Sequence, residues 1–190
     1  MEFTQLLQAF ITFFIVFDPI GTLPVFIDLT KAFNNKEKTR AVNKAVTVAG
    51  ILVFIFIFFG ENVLDYMGIT LNSFKIAGGL ILFLLGLEMI LSFRFSKEVG
   101  DYSVAVSIIA VPVITGPGVI TTAILMTSQI GILLASISAL FSLLIVWIVL
   151  KQADKIQKKF GEANLSIVSK IMGLIIASVG INLIISVFGF

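Results

Sequence analysis

The sequence predicts an all-α membrane protein with six transmembrane helices, arranged as two inverted three-helix repeats whose first and fourth helices are discontinuous. Three observations lead to this fold class. The 190-residue chain is 58% hydrophobic and only 13% charged, with a mean hydropathy of +1.13, whereas soluble domains carry about 25% charged residues. Helix-breaking residues interrupt two long apolar segments. Similar glycine motifs recur in the two halves of the chain.

The predicted spans follow from hydropathy and from the positions of helix breakers. A spanning helix needs about 20 predominantly apolar residues, and no charged residue lies between Asp101 and Lys151 or after Lys170. The first and fourth spans are long enough to hold two half-helices each. We treat the whole chain, 1–190, as a single transmembrane domain made of repeat 1 (1–93) and repeat 2 (94–190). The six spans are predicted at about 3–32, 41–60, 71–93, 102–128, 130–150 and 165–188.

Lysine and arginine are concentrated on one side of these spans. Of 13 basic residues, all but Lys75 fall in the first, third and fifth loops or early in the sixth span. Because basic loops stay in the cytoplasm, we expect a multi-pass protein of the cell (inner) membrane with both termini outside. The N-terminal segment lacks the features of a cleaved secretory signal, so we expect it to remain as a span.

The two halves of the chain resemble each other in sequence. The motif GLI at Gly79, followed by GLEMI at Gly86, recurs 94 residues later as GLI at Gly173, followed by GINLI at Gly180. Three spans per half place the second half in the membrane upside down, which is the inverted-repeat plan of many secondary transporters. We interpret these glycines, with Gly78, as contacts that let the third and sixth spans pack closely.

The two breaks lie at similar positions in the two halves. Asp18-Pro19-Ile20-Gly21-Thr22-Leu23-Pro24 interrupts the first span, and Thr115-Gly116-Pro117-Gly118 interrupts the fourth. In lipid, irregular backbone survives only where protein or a water-filled cavity satisfies its polar groups, so paired breaks point to a transport site. We expect a helix to restart after Pro24, capped by Thr22, and another to restart near Gly118, capped by Thr121 or Thr122.

The exposed helix ends suggest which solutes such a site would take. Helix N-termini suit an anionic group such as a carboxylate, and the carbonyl ends of the preceding half-helices suit an ammonium group, a cation or a hydrated proton. One small zwitterion would satisfy both, and inorganic ions fit parts of the arrangement. The predicted substrate-binding residues are Asp18, Pro19, Gly21, Thr22, Thr115, Gly116, Gly118 and Thr121.

Two acidic residues in the spans are candidates for proton coupling. Asp18 at mid-depth costs about 2.5–3.5 kcal/mol on insertion scales, so it should face a cavity or a partner, where it could take up a proton or pair with a substrate amine. The alternative role for Asp18 is structural, as an Asx cap that holds the Asp-Pro turn. Glu88 is the second candidate, and it could instead pair with Arg94 or Lys44.

Three segments resemble the MarC family of bacterial and archaeal integral membrane proteins. They are DPIGTLPVF at 18–26, SFKIAGGLILFLLGLEMI at 73–90 and VPVITGPGVITT at 111–122. The resemblance implies a six-helix inner-membrane protein. Through archaeal relatives similar to small neutral amino-acid transporters, it also implies glycine or alanine as substrate with proton coupling. The resemblance implies that the site residues include Asp18, Gly21, Thr115, Gly116 and Gly118. Thr22 matches the motif position but replaces the asparagine usual in the family.

The leading hypothesis is therefore a symporter of small neutral amino acids, with a proton or Na⁺ as the coupling ion. The alternatives are an exporter or channel for other small metabolites or ions, and a non-transporting membrane protein. We expect no enzyme activity, because the chain lacks histidine, cysteine, a Gly-x-Ser-x-Gly motif and a P-loop. We also expect no cofactor, no metal and no nucleic-acid partner. The lipid bilayer is the expected environment, and the sequence leaves open whether copies form a homo-oligomer.

Overall fold

The computed structural model describes residues 2–91 and 102–188, and these residues form seven α-helices, a π-helical turn and no strand. The all-helical prediction is thus confirmed for the described part of the chain. In chain order, the elements are α1 (Glu2–Phe17), α2 (Thr22–Leu29), α3 (Asn35–Tyr66), α4 (Leu71–Leu91), α5 (Tyr102–Ile108), the π-helical turn (Ile109–Ile114), α6 (Pro117–Lys151) and α7 (Ala153–Ile185).

Four of the described helical segments are long and apolar enough to cross a membrane. Their most apolar stretches have mean hydropathies between 2.0 and 2.7, and a shorter apolar helix covers Thr4–Phe17. These segments confirm the prediction of a polytopic helical membrane protein. The four are Asn35–Tyr66, Leu71–Leu91, Gly118–Lys151 and Ala163–Ile185.

The first and fourth predicted spans are broken, as expected from their sequence. Helix α1 has 16 residues, about 24 Å at 1.5 Å per residue, which is shorter than the roughly 30 Å hydrocarbon core. The chain then turns at 18–21 and continues as α2. In the fourth predicted span, α5 and the π-helical turn end before Thr115, and α6 begins after the turn.

Helix α3 is longer than the predicted span at 41–60. It begins at Asn35 because Asn34 forms a capping box. The Asn34 Oδ1 atom accepts from the N–H groups of Lys36 and Glu37 at 3.0 and 3.1 Å, and Glu37 Oε2 accepts from the Asn34 N–H at 2.8 Å. The predicted span was too short because hydropathy ignores polar residues in the first turns of a helix.

Two glycines with positive φ mark the remaining boundaries. Gly131 has φ +82° and divides α6 into two helical segments, 117–130 and 132–151, close to the predicted boundary between spans four and five. Gly161 has φ +77° and separates the amphipathic start of α7 from its apolar part. A left-handed backbone is accessible to glycine without steric cost. Both changes of direction therefore need no polar loop.

Helices α4 and α7 cross in an antiparallel pair at facing glycines. Gly79 lies against Gly180, and Gly86 lies against Gly173. A Cβ atom built on Gly173 would lie 2.8 Å from the Gly86 carbonyl oxygen, and one on Gly180 would lie 2.7 Å from the Phe83 nitrogen. The expected role of these glycines in close helix packing is confirmed.

Helix α1 runs parallel to the second segment of α6. Ser138 Oγ donates to the Leu6 carbonyl at 3.3 Å, and Ser142 Oγ donates to the Phe10 carbonyl at 3.2 Å. Both pairs advance by four residues in the same direction, so the two helices have the same orientation. Farther along α1, the side chains of Phe13 and Phe17 are fully buried in the core.

The start of α3 is joined to the start of α7 by an ion pair. Lys38 Nζ lies 2.7 Å from Asp154 Oδ1. These residues belong to the predicted first and fifth loops. The contact therefore places those two basic loops at the same end of the molecule, as the predicted orientation requires.

Candidate functional site

The first helix break is built around Asp18. Its φ of +42° is the one positive φ at a non-glycine residue in the described chain, and aspartate tolerates this conformation better than most residues. The Asp18 N–H still donates to the Phe14 carbonyl at 3.1 Å, closing α1. Asp18 Oδ1 accepts from the Gly21 N–H at 2.9 Å. The carboxylate thus satisfies a backbone donor of the turn, in the Asx-type role that the sequence left as an alternative.

The second helix begins earlier than predicted. Helix α2 starts at Thr22, with Pro24 in its first turn, and not after Pro24. Thr22 does not cap the restart as expected: its Oγ1 donates back to the Asp18 carbonyl at 2.7 Å. The prediction was wrong because Asp18 already satisfies the turn, and a hydroxyl in the first helical turn can donate backwards.

The Asp18 carboxylate lies folded over Gly21. A Cβ atom on Gly21 would collide with the Asp18 carboxylate and with Met89 Cε of α4. Asp18 is only 5% exposed, and Pro19, Gly21 and Thr22 are buried with it. The turn is therefore a packed unit in which only glycine fits at residue 21.

The second break follows the π-helical turn. The Thr115 N–H donates to the Ala110 carbonyl at 2.9 Å, a five-residue hydrogen bond, and Thr115 then leaves the helix with φ −112° and ψ 66°. Gly116 is extended and precedes α6, which begins with Pro117. Proline suits a first helical position because the N–H it lacks would have no intrahelical acceptor. Within the π-helical turn Val111 is already extended, with φ −142° and ψ 118°, so the helix is interrupted before it reaches Thr115.

Thr115 has a buried hydroxyl without a partner. It is 1% exposed, and its Oγ1 is one of two buried side-chain oxygens in 2–91 and 102–188 that have no hydrogen-bond partner. The hydroxyl is next to the N-terminus of α6. There Pro117 has no N–H and the Val119 N–H donates to the Gly116 carbonyl at 2.9 Å, so Gly118 supplies the first-turn N–H without an intrahelical acceptor. Burying an unpaired hydroxyl costs about 1–3 kcal/mol. A ligand that hydrogen-bonds to the Thr115 hydroxyl would remove this cost.

The predicted caps at Thr121 and Thr122 are wrong. Gly116 precedes α6 without any side-chain cap, and both threonines lie inside the helix. Thr121 instead packs against Gly78 of α4, where a Cβ atom would collide with the threonine side chain. Because Gly116 is extended, the helix starts at Pro117, five residues before Thr122.

Helix α4 contacts both breaks. Leu82 fills the space next to Gly118, and Met89 fills the space next to Gly21. Leu82 and Met89 are seven residues apart, about 10 Å along the helix at 1.5 Å per residue. The structure therefore brings both predicted breaks to one helix, but at different depths along it. Glu88, half-buried in α4, precedes Met89, and Arg94, one of its expected partners, lies outside the described residues.

Two cavities open on the surface of the described chain, away from the breaks. An apolar groove of about 580 Å³ lies between α3 and α6. A polar pocket of about 300 Å³ lies between the starts of α3 and α7. Neither is lined by a residue of either break. Sequence reasoning expected a solvated pocket at the breaks, whereas Leu82 and Met89 pack against them here.

Sequence reasoning missed Leu82 and Met89 as residues that shape the site. Each contributes through a contact between distant helices, so no local pattern marks it. Sequence reasoning placed Gly78 at the contact between the third and sixth spans, which is wrong, because Gly78 packs against Thr121 of α6. Thr115 was identified, but the isolation of its hydroxyl could be found only from the structure.

Comparison with known proteins identifies the family of this chain. Residues 3–188 match the sequence pattern of the MarC family integral membrane proteins. The chain belongs to the MarC family. A UPF0056 membrane protein of Methanocaldococcus jannaschii is 32% identical over 98% of this chain and 97% of its own length. One of Archaeoglobus fulgidus is 29% identical over 93% and 88%. YvbG of Bacillus subtilis, also a UPF0056 membrane protein, is 26% identical over 97% and 94%.

The MarC family match includes both breaks and all four glycines of the α4–α7 crossing. The names of these relatives describe membrane proteins and specify no solute. No solved structure matches the chain. Membership of the MarC family therefore establishes an integral membrane protein, and its activity must be argued from the site.

Proposed function

We propose that this protein is a secondary transporter of small neutral amino acids such as glycine and alanine. In this proposal, uptake is coupled to protons and proceeds by alternating access of two inverted three-helix repeats in the inner membrane. The observation that carries the proposal is the pair of helix breaks that both contact α4. One break contains a buried carboxylate, Asp18, and the other contains an unpartnered hydroxyl, Thr115, beside a helix N-terminus.

The crossing of α4 and α7 supports the inverted repeat. The repeat relates Gly79 to Gly173 and Gly86 to Gly180. The observed contacts join Gly79 to Gly180 and Gly86 to Gly173. Exchanging the two halves turns each contact into the other, which is the behaviour of two elements related by a two-fold axis. An axis of this kind in the membrane plane is characteristic of inverted-repeat transporters.

The six proposed crossings use the broken helices as two of the spans. The first crossing combines α1 and α2, and the fourth combines α5, the π-helical turn and the first segment of α6. The parallel packing of α1 on the second segment of α6 fits first and fifth crossings in one direction. The positive-inside rule then assigns both termini to the outside.

The two breaks are suited to different tasks. The Gly118 N–H in the first turn of α6 and the Thr115 hydroxyl can bind a substrate carboxylate. Asp18 at the first break can carry the coupling proton. The offset of about 10 Å along α4 exceeds the size of glycine or alanine, so one substrate cannot contact both breaks at once in this conformation. We assign the substrate to the second break and the proton to the first.

Uptake of radiolabelled amino acids into proteoliposomes tests the proposal. We expect glycine or alanine to accumulate in a saturable manner when the outside is more acidic, and to exchange with unlabelled substrate. A protonophore should collapse the accumulation. Absence of saturable uptake for every small neutral amino acid, with and without a pH gradient, would refute the proposal. Non-saturating flux would favour the channel alternative.

Replacing Thr115 with valine separates binding from stability. The variant has nearly the same shape and removes a buried hydroxyl that has no partner, so we expect the protein to gain about 1–3 kcal/mol of stability. Transport should weaken, with a raised KM, because the carboxylate loses a donor. Thermal unfolding and uptake are measured on the same preparation, and Thr115→Ser, which keeps the hydroxyl, is the control. A Thr115→Val variant with unchanged KM would remove Thr115 from the site.

A further inference from the structure

The groove between α3 and α6 ends about one helical turn from the polar pocket at the start of α7. The groove is lined by apolar side chains, among them Phe54, Phe58, Leu140 and Leu144. Trp147 lines its end, and the next turn of α6 brings Lys151 into the polar pocket. The apolar groove and the polar pocket are therefore neighbours along α3 and α6, with the polar pocket at one end of the molecule.

The polar pocket carries a net positive charge. Four lysines line it, and Asp154 is the one acidic residue among its lining residues. Asp154 already pairs with Lys38 at 2.7 Å, so it neutralises only part of that charge. Lys151 Nζ lies 4.1 Å from the centre of the Trp147 ring. The remaining lysines, Lys155 and Lys158, are exposed to the pocket.

The groove has the length that a lipid chain requires. From Val46 to Phe59, α3 rises about 20 Å at 1.5 Å per residue, and one leaflet of the hydrocarbon core is about 15 Å deep. The Trp147 Nε1–H donates to Asn43 Oδ1 at 2.8 Å. This bond joins α3 to α6 at the boundary between the apolar and polar parts, the level at which an ester region would lie.

We propose that the groove and the pocket together form a binding site for one anionic phospholipid. An acyl chain lies between α3 and α6, and the phosphate and headgroup bind among Lys38, Lys151, Lys155 and Lys158. Basic pockets between membrane helices bind anionic headgroups in this way. The site is separate from the helix breaks and does not depend on what the protein transports.

Trp147 allows a direct test, because it is the only tryptophan in the chain. The protein is reconstituted in phosphatidylcholine vesicles that contain a low fraction of brominated phosphatidylglycerol or brominated phosphatidylcholine, and quenching of Trp147 fluorescence is measured. Each lysine near an anionic headgroup is worth about fivefold in affinity. Lys155 and Lys158 together should therefore give half-maximal quenching at an about 25-fold lower fraction of the anionic lipid. Equal quenching by both lipids would mean ordinary annular contact and would overturn the proposal.

Matched variants show which lysines produce the preference for the anionic lipid. Lys155→Gln with Lys158→Gln should remove most of it, while the corresponding arginine pair should keep it. Lys36→Gln with Lys44→Gln is the control, because these lysines lie in the same region but do not line the pocket. Equal losses in the two glutamine pairs would indicate a general surface charge and contradict the site. If the pocket variant does not fold, the wild-type preference must fall as salt is raised, and a preference independent of salt would contradict the site.

Discussion

Replacing Asp18 with asparagine is expected to abolish proton-driven amino-acid uptake in proteoliposomes and leave the protein folded. Asparagine keeps an Oδ1 atom that can accept from the Gly21 N–H, which lies 2.9 Å from the carboxylate now. It also tolerates the positive φ of residue 18. The variant therefore preserves the turn and removes the ability to bind and release a proton. Uptake driven by a pH gradient is the measurement.

The alanine variant provides the matched control for structure. Asp18→Ala loses the cap as well as the charge. It also places alanine, whose side chain cannot form a local hydrogen bond, at φ +42°. The two costs together amount to about 2–3 kcal/mol, so we expect a lower unfolding temperature for Asp18→Ala and not for Asp18→Asn. Asp18→Asn with wild-type proton-driven uptake would restrict Asp18 to the structural role. Equal destabilisation by both substitutions would show that the charge itself holds the turn.

Replacing Gly86 with alanine is expected to disrupt the α4–α7 crossing. The added Cβ atom would collide with the Gly173 carbonyl oxygen and lie 2.7 Å from Ala177 Cβ. Backbone cannot move aside as the end of a flexible side chain can, so the helices must separate along their contact. Overpacking of this kind costs about 1–3 kcal/mol or more. We expect a lower unfolding temperature in detergent and a smaller yield of monodisperse protein.

Gly50 is the matched control for this substitution. It lies in the middle of apolar helix α3, and a Cβ atom there would meet Leu143 Cδ1 at an ordinary 3.5 Å. Gly50→Ala should therefore be neutral or stabilise the protein by up to about 1 kcal/mol, because alanine loses less backbone entropy in a helix. If Gly86→Ala is as stable as Gly50→Ala, the close crossing of α4 and α7 is not what stabilises this fold.

Much of the fold could be predicted because the bilayer imposes simple rules on sequence. Apolar length located the spans, and proline and glycine located both breaks, since these residues interrupt helices whatever surrounds them. The start of α3 was missed although its signal, Asn34 followed by Glu37, is present in the sequence. That signal is polar, and hydropathy gives it no weight. The boundary at Gly131 was found to within a few residues because a glycine marks it.

The site was predicted less completely, for a physical reason. The sequence identified the residues of both breaks but assigned the capping to Thr22, Thr121 and Thr122, because several side chains near a break can satisfy the same donor. In the structure, the positive φ of Asp18 brings its carboxylate to the Gly21 N–H, so Asp18 caps the first turn. The contacts of Leu82 and Met89 with the two breaks depend on how α4 packs. No local sequence pattern reports that packing.

In the proposed transport cycle, the second break is a substrate site that opens to water. Because the chain has no cysteine, Thr115→Cys introduces a single reactive thiol beside the start of α6. We expect a membrane-impermeant thiol reagent to modify this cysteine in proteoliposomes, and glycine or alanine to slow the modification. A cysteine at residue 115 that stays unreactive from both sides of the membrane, or reacts at the same rate with saturating substrate, would contradict this account.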